Sequence, residues 1–188
     1  KENMKKDPAF VSLTRKETCK RDFNAKSIGY FAKSDVVRLD AATVNEIKIM
    51  ARETGENVRL SLHHSPDAFF HEMIIYQHSD KYYRPKKHVN KAKSFHMIEG
   101  TMAVFVFNDD GEIRDTCVLD GKETIMYRVD ANVFHTDIPL TEYVVHHEST
   151  LGPFLGERDR VFGPWSPDGL DEAAYLSYRD DLLGLLNK

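Results

Sequence analysis

Two lysines and a histidine within one short segment are the side chains of this chain best suited to chemistry. The segment, YYRPKKHVNKAKSFHMIEG, spans residues 82–100. Lys86 and His88 are two positions apart, so they share one face if the segment is a β-strand, and Lys93 follows His88 by five positions. Histidine titrates near neutral pH and can transfer protons. A lysine ammonium is a compact cation that repels metal ions and attracts anions. The segment therefore indicates acid–base chemistry on an anionic ligand.

Short β-forming segments separated by turn signals occupy residues 57–149. They are VRLSLH, EMIIYQH, SFHMIEG, TMAVFVF, EIRDTCVL, TIMYRV and EYVVHHES. Many short strands at near-regular spacing predict an antiparallel sandwich or barrel. The clearest hairpin turn is Asn108-Asp109-Asp110-Gly111. TMAVFVF is apolar on both faces, so both faces should be covered. The second sheet covers the inner face, whereas the outer face meets either another subunit or a segment of the same chain.

A helix is predicted on each side of this β-rich region. The first runs from Ala41 to about Arg52, with Asp40 as its N-cap and Gly55 as its stop. The second begins near Leu170 and carries an apolar stripe. We predict an N-terminal arm at residues 1–35 and a single domain at 36–188, with a core barrel at about 57–150 and a C-terminal helix at about 170–186. The arm is basic and polar, which is more typical of a solvated terminus than of a nucleic-acid-binding tail.

Composition and charge narrow the classes of function. The chain has 188 residues, 41% of them apolar and 30% charged, which is typical of one soluble globular domain. The net charge of −4 argues against a nucleic-acid partner. No apolar run approaches the roughly 20 residues that span a bilayer. Cys19 and Cys117 are predicted to be free thiols, which favours a cytoplasmic location.

The order of these motifs resembles the WbuC-like cupins, many of which are encoded among polysaccharide and lipopolysaccharide biosynthesis functions. The resemblance covers roughly residues 36–178. Its motifs are LDAATVNEIKIMARETG, VRLSLHHSPD, YYRPKKHVNKAKSFHMIEG, FNDDGEI, ANVFHT, HHESTLGPF and GPWSPDG, in this order. It implies a mainly β fold, the cupin jelly roll or double-stranded β-helix barrel, with an N-terminal and a C-terminal helix. It also implies a homodimer.

The resemblance places a metal site at Lys86, His88, Lys93 and His135. Such cupins carry His-x-His and then glutamate in the first three of these places, and histidine in the fourth. Only His88 and His135 keep a metal-binding residue type. We therefore predict no certain cofactor, and a divalent transition metal (Zn, Fe or Ni) held by His88 and His135 stays open as an alternative.

The resemblance also implies which side chains look into the barrel. They are Arg59, His63, Lys86, His88, Lys93 and His135, with Tyr83 nearby and Glu148 as the acidic counterweight. This set predicts a strongly cationic pocket for a small anion such as a sugar phosphate or nucleotide sugar. A sugar isomerase or epimerase would use His88 or His135 as the base and Lys86 or Lys93 to stabilise developing charge. The alternatives are a metal-binding cupin with diverged ligands, a non-catalytic ligand-binding or sensory cupin, and a structural partner in polysaccharide assembly.

Overall fold

The computed structural model describes residues 9–187. The strands are β1 (Cys19–Asp22), β2 (Ile28–Ala32), β3 (Val58–Ser61), β4 (Phe70–His78), β5 (Lys86–His88), β6 (Lys93–Glu99), β7 (Met102–Phe107), β8 (Ile113–Leu119), β9 (Met126–Val129), β10 (Phe134–Pro139), β11 (Tyr143–Leu151) and β12 (Arg160–Phe162). The helices are α1 (Ala41–Thr54) and α2 (Glu172–Gly184), and short 3₁₀ turns lie at Gly156–Arg158 and Leu185–Asn187.

The strands form two sheets that follow the jelly-roll order. One sheet has seven strands in the order β1-β2-β3-β4-β11-β6-β9, and the other has five in the order β12-β5-β10-β7-β8. From β4 to β12, successive strands alternate between the two sheets, except that β7 and β8 form a hairpin within the smaller sheet. Such crossing connections are typical of a double-sheet jelly roll. The predicted fold class, a cupin jelly-roll barrel with a helix on each side, is confirmed.

Helix α1 covers the outer face of the larger sheet. Asp40 caps its first turn by accepting a hydrogen bond from the Thr43 N–H, and Gly55 ends it at φ 68°. The fully buried Ile47 packs against outward-facing side chains of the sheet, among them Leu60 and Tyr76. The predicted cap and stop are confirmed, and the helix extends two residues beyond Arg52.

Helix α2 covers the outer face of the smaller sheet. All six residues of β7 are buried. Phe105 and Phe107 point outward into a cluster that includes Leu182 of α2 and the indole of Trp165. This chain's own C-terminal helix therefore covers the apolar outer face of β7, so that face is not left free for a second subunit. No helix within residues 9–187 has the length and apolar character needed to cross a membrane.

The N-terminal segment from residue 9 onward belongs to the folded unit, which corrects its interpretation as a solvated arm. Strands β1 and β2 form an antiparallel hairpin, and β2 extends the larger sheet by pairing in parallel with β3. Val11, Leu13 and Cys19 are buried in the cluster under α1. These three side chains anchor the segment to the core. Residues 1–8 of the predicted arm lie outside the described residues.

Candidate functional site in the barrel interior

Strand β5 and its neighbour β10 place one lysine and two histidines inside the barrel. Lys86 lies directly opposite His135 across the β5–β10 pair. His88 shares the inner face of β5 with Lys86, because alternate residues of a strand face the same way. The intervening Lys87 points outward: its ammonium lies 3.1 Å from Asp109 and 4.4 Å from the ring centroid of Phe134.

Strands β6 and β11 contribute a buried ion pair to the same interior. The Lys93 ammonium lies 3.5 Å from a Glu148 carboxylate oxygen, with the two side chains 7% and 14% exposed. His146, two residues before Glu148, faces the same side, and its ring centroid lies 5.7 Å from that of Phe95. His147 faces outward and lies 3.3 Å from Glu72. Adjacent histidines on one strand thus separate to opposite faces, as strand alternation requires.

A second carboxylate, from Asp137, changes the charge of the interior from the predicted one. Asp137 follows His135 by two positions on β10, is 7% exposed, and accepts a 2.8 Å hydrogen bond from the Gln77 amide. The Lys86 and Lys93 ammoniums are therefore matched by the carboxylates of Asp137 and Glu148. The prediction of a strongly cationic pocket with Glu148 as its acidic counterweight is wrong in this respect.

Burial and the two lysines keep the histidines neutral. Burial, with the Lys93 ammonium next in importance, lowers the pKa of His88 to about 4 and that of His135 to about 3. Burial also lowers the pKa of Lys86 to about 8, and repulsion from Lys93 adds to the effect. Burial by itself would raise the pKa of Asp137, but Lys86 and Lys93 outweigh it and leave the pKa lowered.

Glu148 responds to its surroundings in the same way as Asp137. Burial would raise the pKa of this carboxyl, but the nearby Lys93 ammonium more than offsets that effect and leaves the pKa lowered. At neutral pH the interior therefore holds two carboxylates, two ammoniums and neutral imidazoles.

Several polar atoms in this interior have no hydrogen-bond partner. The Nδ1 of His135 lies 3.0 Å from the Val133 carbonyl oxygen, which can only accept, so Nδ1 carries the hydrogen. The Nε2 of neutral His135 is then an unprotonated acceptor, and it is buried without a partner. The Nδ1 of His88 and both ring nitrogens of His146 are also buried and unbonded. Buried unbonded polar atoms are costly and call for an explanation, of which a bound ligand is one.

Arg59, His63 and Tyr83 are committed to other contacts. Arg59 donates to the Asp22 carboxylate of β1 at 2.8 Å. His63 stacks on His71 with 4.0 Å between ring centroids, and burial lowers its pKa to about 4. The Tyr83 hydroxyl donates to the His78 carbonyl at 2.7 Å. In the part of the chain that the structure describes, no hydrogen bond, ion pair or ring contact links any of the three to Lys86, His88, Lys93 or His135, which the barrel does bring together.

Sequence reasoning also missed a buried carboxylate near the His88 ring, which lies too far away for a hydrogen bond. The Nδ1 of His88 lies 3.6 Å from a carboxylate oxygen of Asp159, which is 2% exposed. Lys91 lies 3.3 Å from the same oxygen. Asp159 immediately precedes β12, in a Gly- and Pro-rich connection whose pairing the sequence does not reveal. Asp137 had a usable signal, because it lies two positions after His135 and must share its face.

The donor set does not fit the metal that the resemblance implies. Within residues 9–187, no group of three or more His, Cys, Asp or Glu side chains is arranged to hold a metal ion. Lys93 stands where a carboxylate ligand would be required, and its ammonium is held by Glu148. Lys86 replaces a histidine and is mostly protonated at neutral pH. Two histidines alone do not complete a zinc site.

Comparison with known proteins finds one family model and partial similarity to solved structures. A family model described as a domain of unknown function (DUF6016) matches residues 40–119, from α1 to the end of β8. No curated protein matches the sequence.

Three solved structures are similar to part of this chain, and the chain spans less than a third of the length of CapF. The capsular polysaccharide assembling protein CapF from Staphylococcus aureus is 15% identical with a TM-score of 0.48; the match covers 55% of this chain and 28% of CapF. The L-ribose isomerase of Cellulomonas parahominis is 14% identical with a TM-score of 0.47, over 58% of this chain and 70% of the isomerase. Protein SO0799 from Shewanella oneidensis is 11% identical with a TM-score of 0.48, over 66% of this chain and 83% of that protein.

Proposed function

We propose that the barrel interior binds a small hydroxyl-bearing anion, with Lys86 as the contact to its acidic group. The observation that carries the proposal is the difference between the two lysines. Lys93 has a carboxylate at 3.5 Å, whereas Lys86 has no ion-pair partner within 4.0 Å among residues 9–187. The carboxylates of Asp137 and Glu148 act on Lys86 only from further away. An anionic oxygen beside Lys86 would supply the close partner that buried ammoniums require.

The histidines favour a ligand that also carries hydroxyl groups. The Nε2 of His135 is a buried acceptor, because its Nδ1 hydrogen is committed to the Val133 carbonyl. A ligand hydroxyl can donate to this nitrogen. His88 Nδ1 is a second unbonded ring nitrogen on the same face as Lys86. One acidic group with several hydroxyls is the chemistry of sugar phosphates and nucleotide sugars.

The resemblance to the WbuC-like cupins supports the same class of ligand. That family is associated with polysaccharide and lipopolysaccharide biosynthesis, whose building blocks are sugar phosphates and nucleotide sugars. We therefore assign the chain, as a proposal, to a WbuC-like protein with an altered metal site and a ligand of this class.

Binding is tested by calorimetry with a panel of sugar phosphates and nucleotide sugars, with inorganic phosphate for comparison. We expect Lys86→Gln to weaken binding of the best ligand about 10-fold or more, because a charge-assisted hydrogen bond contributes about 1.5–3 kcal/mol. Lys87→Gln is the matched control, since Lys87 is the next residue and faces outward to Asp109. Equal affinities for the Lys86→Gln and native proteins, or no binding of any member of the panel, would contradict the proposal.

A second candidate function is isomerisation or epimerisation of such a sugar. It is favoured by the direct pairing of Lys86 with His135 across β5 and β10. His135 Nε2 would take a proton from a carbon next to a carbonyl and return it at another position or face, while the Lys86 ammonium stabilises the enediolate oxygen. Because its pKa is about 3, His135 is a weak base unless the bound anion raises that pKa.

Turnover is tested by proton exchange in D₂O. A sugar phosphate that is a substrate should gain deuterium at the carbon next to its carbonyl in the presence of the native protein, and His135→Gln should abolish this gain while retaining binding. A ligand that binds tightly and never exchanges would leave binding as the function and exclude the isomerase.

The metal-binding alternative has its own test. The double variant Lys86→His with Lys93→Glu restores the residue types that a metal-binding cupin carries at these two places. We expect mass spectrometry of the purified double variant to show bound zinc, iron or nickel near one equivalent, and the native protein to show much less. A stoichiometric metal in the native protein would favour the alternative.

A further inference from the structure

We propose a second ligand site, for a nucleoside di- or triphosphate, in a groove of the N-terminal β1–β2 hairpin. This site is independent of the barrel interior. The groove has a volume of about 520 Å³, and its lining includes the cations Lys16, Lys20, Arg21 and Lys33 and the aromatic rings of Phe23 and Tyr30. Sites for small molecules and cofactors typically measure about 300–1,000 Å³, so the groove has the size of a nucleotide site.

The sign of charge in the groove is the first argument for a phosphate ligand. Among residues 9–187, four cationic residues line it and no carboxylate does; the Lys20 side chain turns with Phe31 to the opposite face of the hairpin, which leaves Lys16, Arg21 and Lys33 as its cations. The whole chain carries a net charge of −4, so this local excess runs against the overall charge. Asp22 lies on the same hairpin, but its carboxylate is held by Arg59 at 2.8 Å. Glu17 is exposed and is not among the lining residues.

No ion pair within residues 9–187 involves the four cationic residues of the groove lining. Lys20 lies over the ring of Phe31 at 5.8 Å, and Arg21 over the ring of Tyr30 at 5.1 Å. The Lys33 ammonium donates to the Lys16 backbone carbonyl. No carboxylate among residues 9–187 pairs with any of these four side chains within 4.0 Å. Neighbouring cations without counter-ions repel one another, and the phosphates of a nucleotide would relieve this repulsion.

The aromatic rings argue for a planar group next to the phosphates. Phe23 is 88% exposed at the end of β1, so almost its whole ring is free for stacking. Stacking of a base on an aromatic side chain contributes about 1–3 kcal/mol. A nucleoside phosphate combines such a base with a run of negative charges, whereas inorganic phosphate or an acidic peptide lacks one of these two features.

The groove is preformed rather than dependent on a flexible arm. Strand β1 pairs with β2 along its length, and β2 pairs in parallel with β3 of the barrel. Cys19 and Leu13, which form part of the groove wall, are buried in the core under α1. Little ordering is therefore required on binding, which favours affinity for a small ligand.

The test is calorimetric titration of the full chain with ADP, ATP, pyrophosphate and inorganic phosphate. We expect ADP or ATP to bind more tightly than pyrophosphate, and pyrophosphate more tightly than phosphate. The double variant Arg21→Gln/Lys33→Gln should weaken nucleotide binding about 10- to 100-fold, from the loss of two charge-assisted contacts. Phe23→Ala should weaken ADP binding about 5-fold or more and leave pyrophosphate unchanged.

The matched control removes two cations elsewhere. Arg114→Gln/Lys122→Gln changes two exposed side chains of the β8 region and keeps the same net charge as the hairpin variant. It should bind nucleotides as the native protein does. Equal losses in both double variants would mean non-specific attraction and would overturn the site, as would the absence of nucleotide binding.

Tighter binding of a single-stranded oligonucleotide than of ATP would overturn the small-molecule site and indicate a nucleic-acid-binding surface instead. Failure here leaves the Lys86 proposal untouched, because neither double variant alters the barrel interior.

Discussion

Replacing Lys86 by methionine should make the protein more stable. Methionine has a similar length and no charge, so it keeps the packing of the stem and removes the buried ammonium. Burial and the neighbouring Lys93 lower the pKa of Lys86 from 10.5 to about 8. The folded protein therefore binds this proton less strongly than the unfolded chain does, and the charge of Lys86 costs stability at neutral pH.

The pKa of Lys86 sets the size of the effect. One pKa unit corresponds to about 1.36 kcal/mol, so a change from 10.5 to about 8 gives an upper limit of about 3 kcal/mol at pH 7. Lys86 keeps part of its surface exposed, and solvent screening reduces that cost. We expect Lys86→Met to raise the free energy of unfolding by about 1–3 kcal/mol.

The sign of the pH dependence makes the test specific. Between pH 8 and 10.5 the unfolded chain binds more protons at this position than the folded chain, so the native protein gains stability relative to Lys86→Met as the pH rises. The measurement is urea-induced unfolding of both proteins at pH 7 and pH 9.5, and the difference should shrink by more than half. Lys87→Met is the control; it breaks the contact with Asp109 and should lose about 0.5–1 kcal/mol at both pH values. A Lys86→Met protein less stable than the native one at pH 7 would refute the reasoning.

Three further outcomes follow from contacts in the barrel and its turns. Lys93→Met and Glu148→Gln should each cost about 3 kcal/mol, because each leaves a buried charge without its partner. Their double variant should recover at least about 2 kcal/mol of the summed loss in urea unfolding, and simple additivity would contradict the ion pair. Because the pKa of His135 is lowered from 6.5 to about 3, the native protein should lose stability as the pH falls below 6.5. His135→Gln should show a shallower loss between pH 7 and 4.5, and an unchanged slope would exclude this source of acid sensitivity. Gly100→Ala should cost at least about 2 kcal/mol in thermal unfolding, since φ is +85° and the new Cβ would lie 2.6 Å from a backbone carbonyl oxygen. Gly55→Ala, at φ +68° in open space, should cost about 1 kcal/mol, and equal losses would show that the contact is not the cause.

The fold was predictable where local pattern and tertiary structure agree. TMAVFVF is apolar at every position and became β7, buried on both faces between the barrel interior and α2. The turn at 108–111 joins β7 to β8, with Gly111 at φ +93°. Strand β10 was not predicted, because its sequence FHTDIP contains polar residues and a proline. All six residues are nevertheless buried. Its inward-facing polar residues serve the candidate site rather than an apolar core.

The N-terminal hairpin shows the limit of local pattern. Strand β1 (CKRD) carries charged residues that are typical of a solvated tail. Its strand structure depends on pairing with β2, which pairs in turn with β3. The local sequence of residues 19–32 does not predict this pairing, because the pairing depends on the edge of β3, which lies far along the chain.

The site was predictable in its placement and not in its partners. Strand alternation correctly groups Lys86 and His88, and the resemblance adds Lys93 and His135. The counter-charges come from tertiary structure. Asp137 follows from the alternation of β10 only once that strand is recognised, and Asp22 reaches Arg59 from the hairpin. Strand alternation therefore predicts which side chains face the barrel interior, but it does not predict the net charge of that interior.

The position of the two helices has a consequence for how this barrel can evolve. Helix α1 and helix α2 cover opposite outer faces, and two of the three apolar clusters lie under them rather than inside the barrel. The outer faces of the strands thus supply much of the apolar packing, and the inner faces hold the titratable residues of the candidate site. Inner residues can then be exchanged, a lysine for a histidine or a glutamate, without removing the packing that determines the architecture. The same separation makes the barrel a suitable scaffold for engineering new ligands, because changes inside it are decoupled from most of the apolar burial.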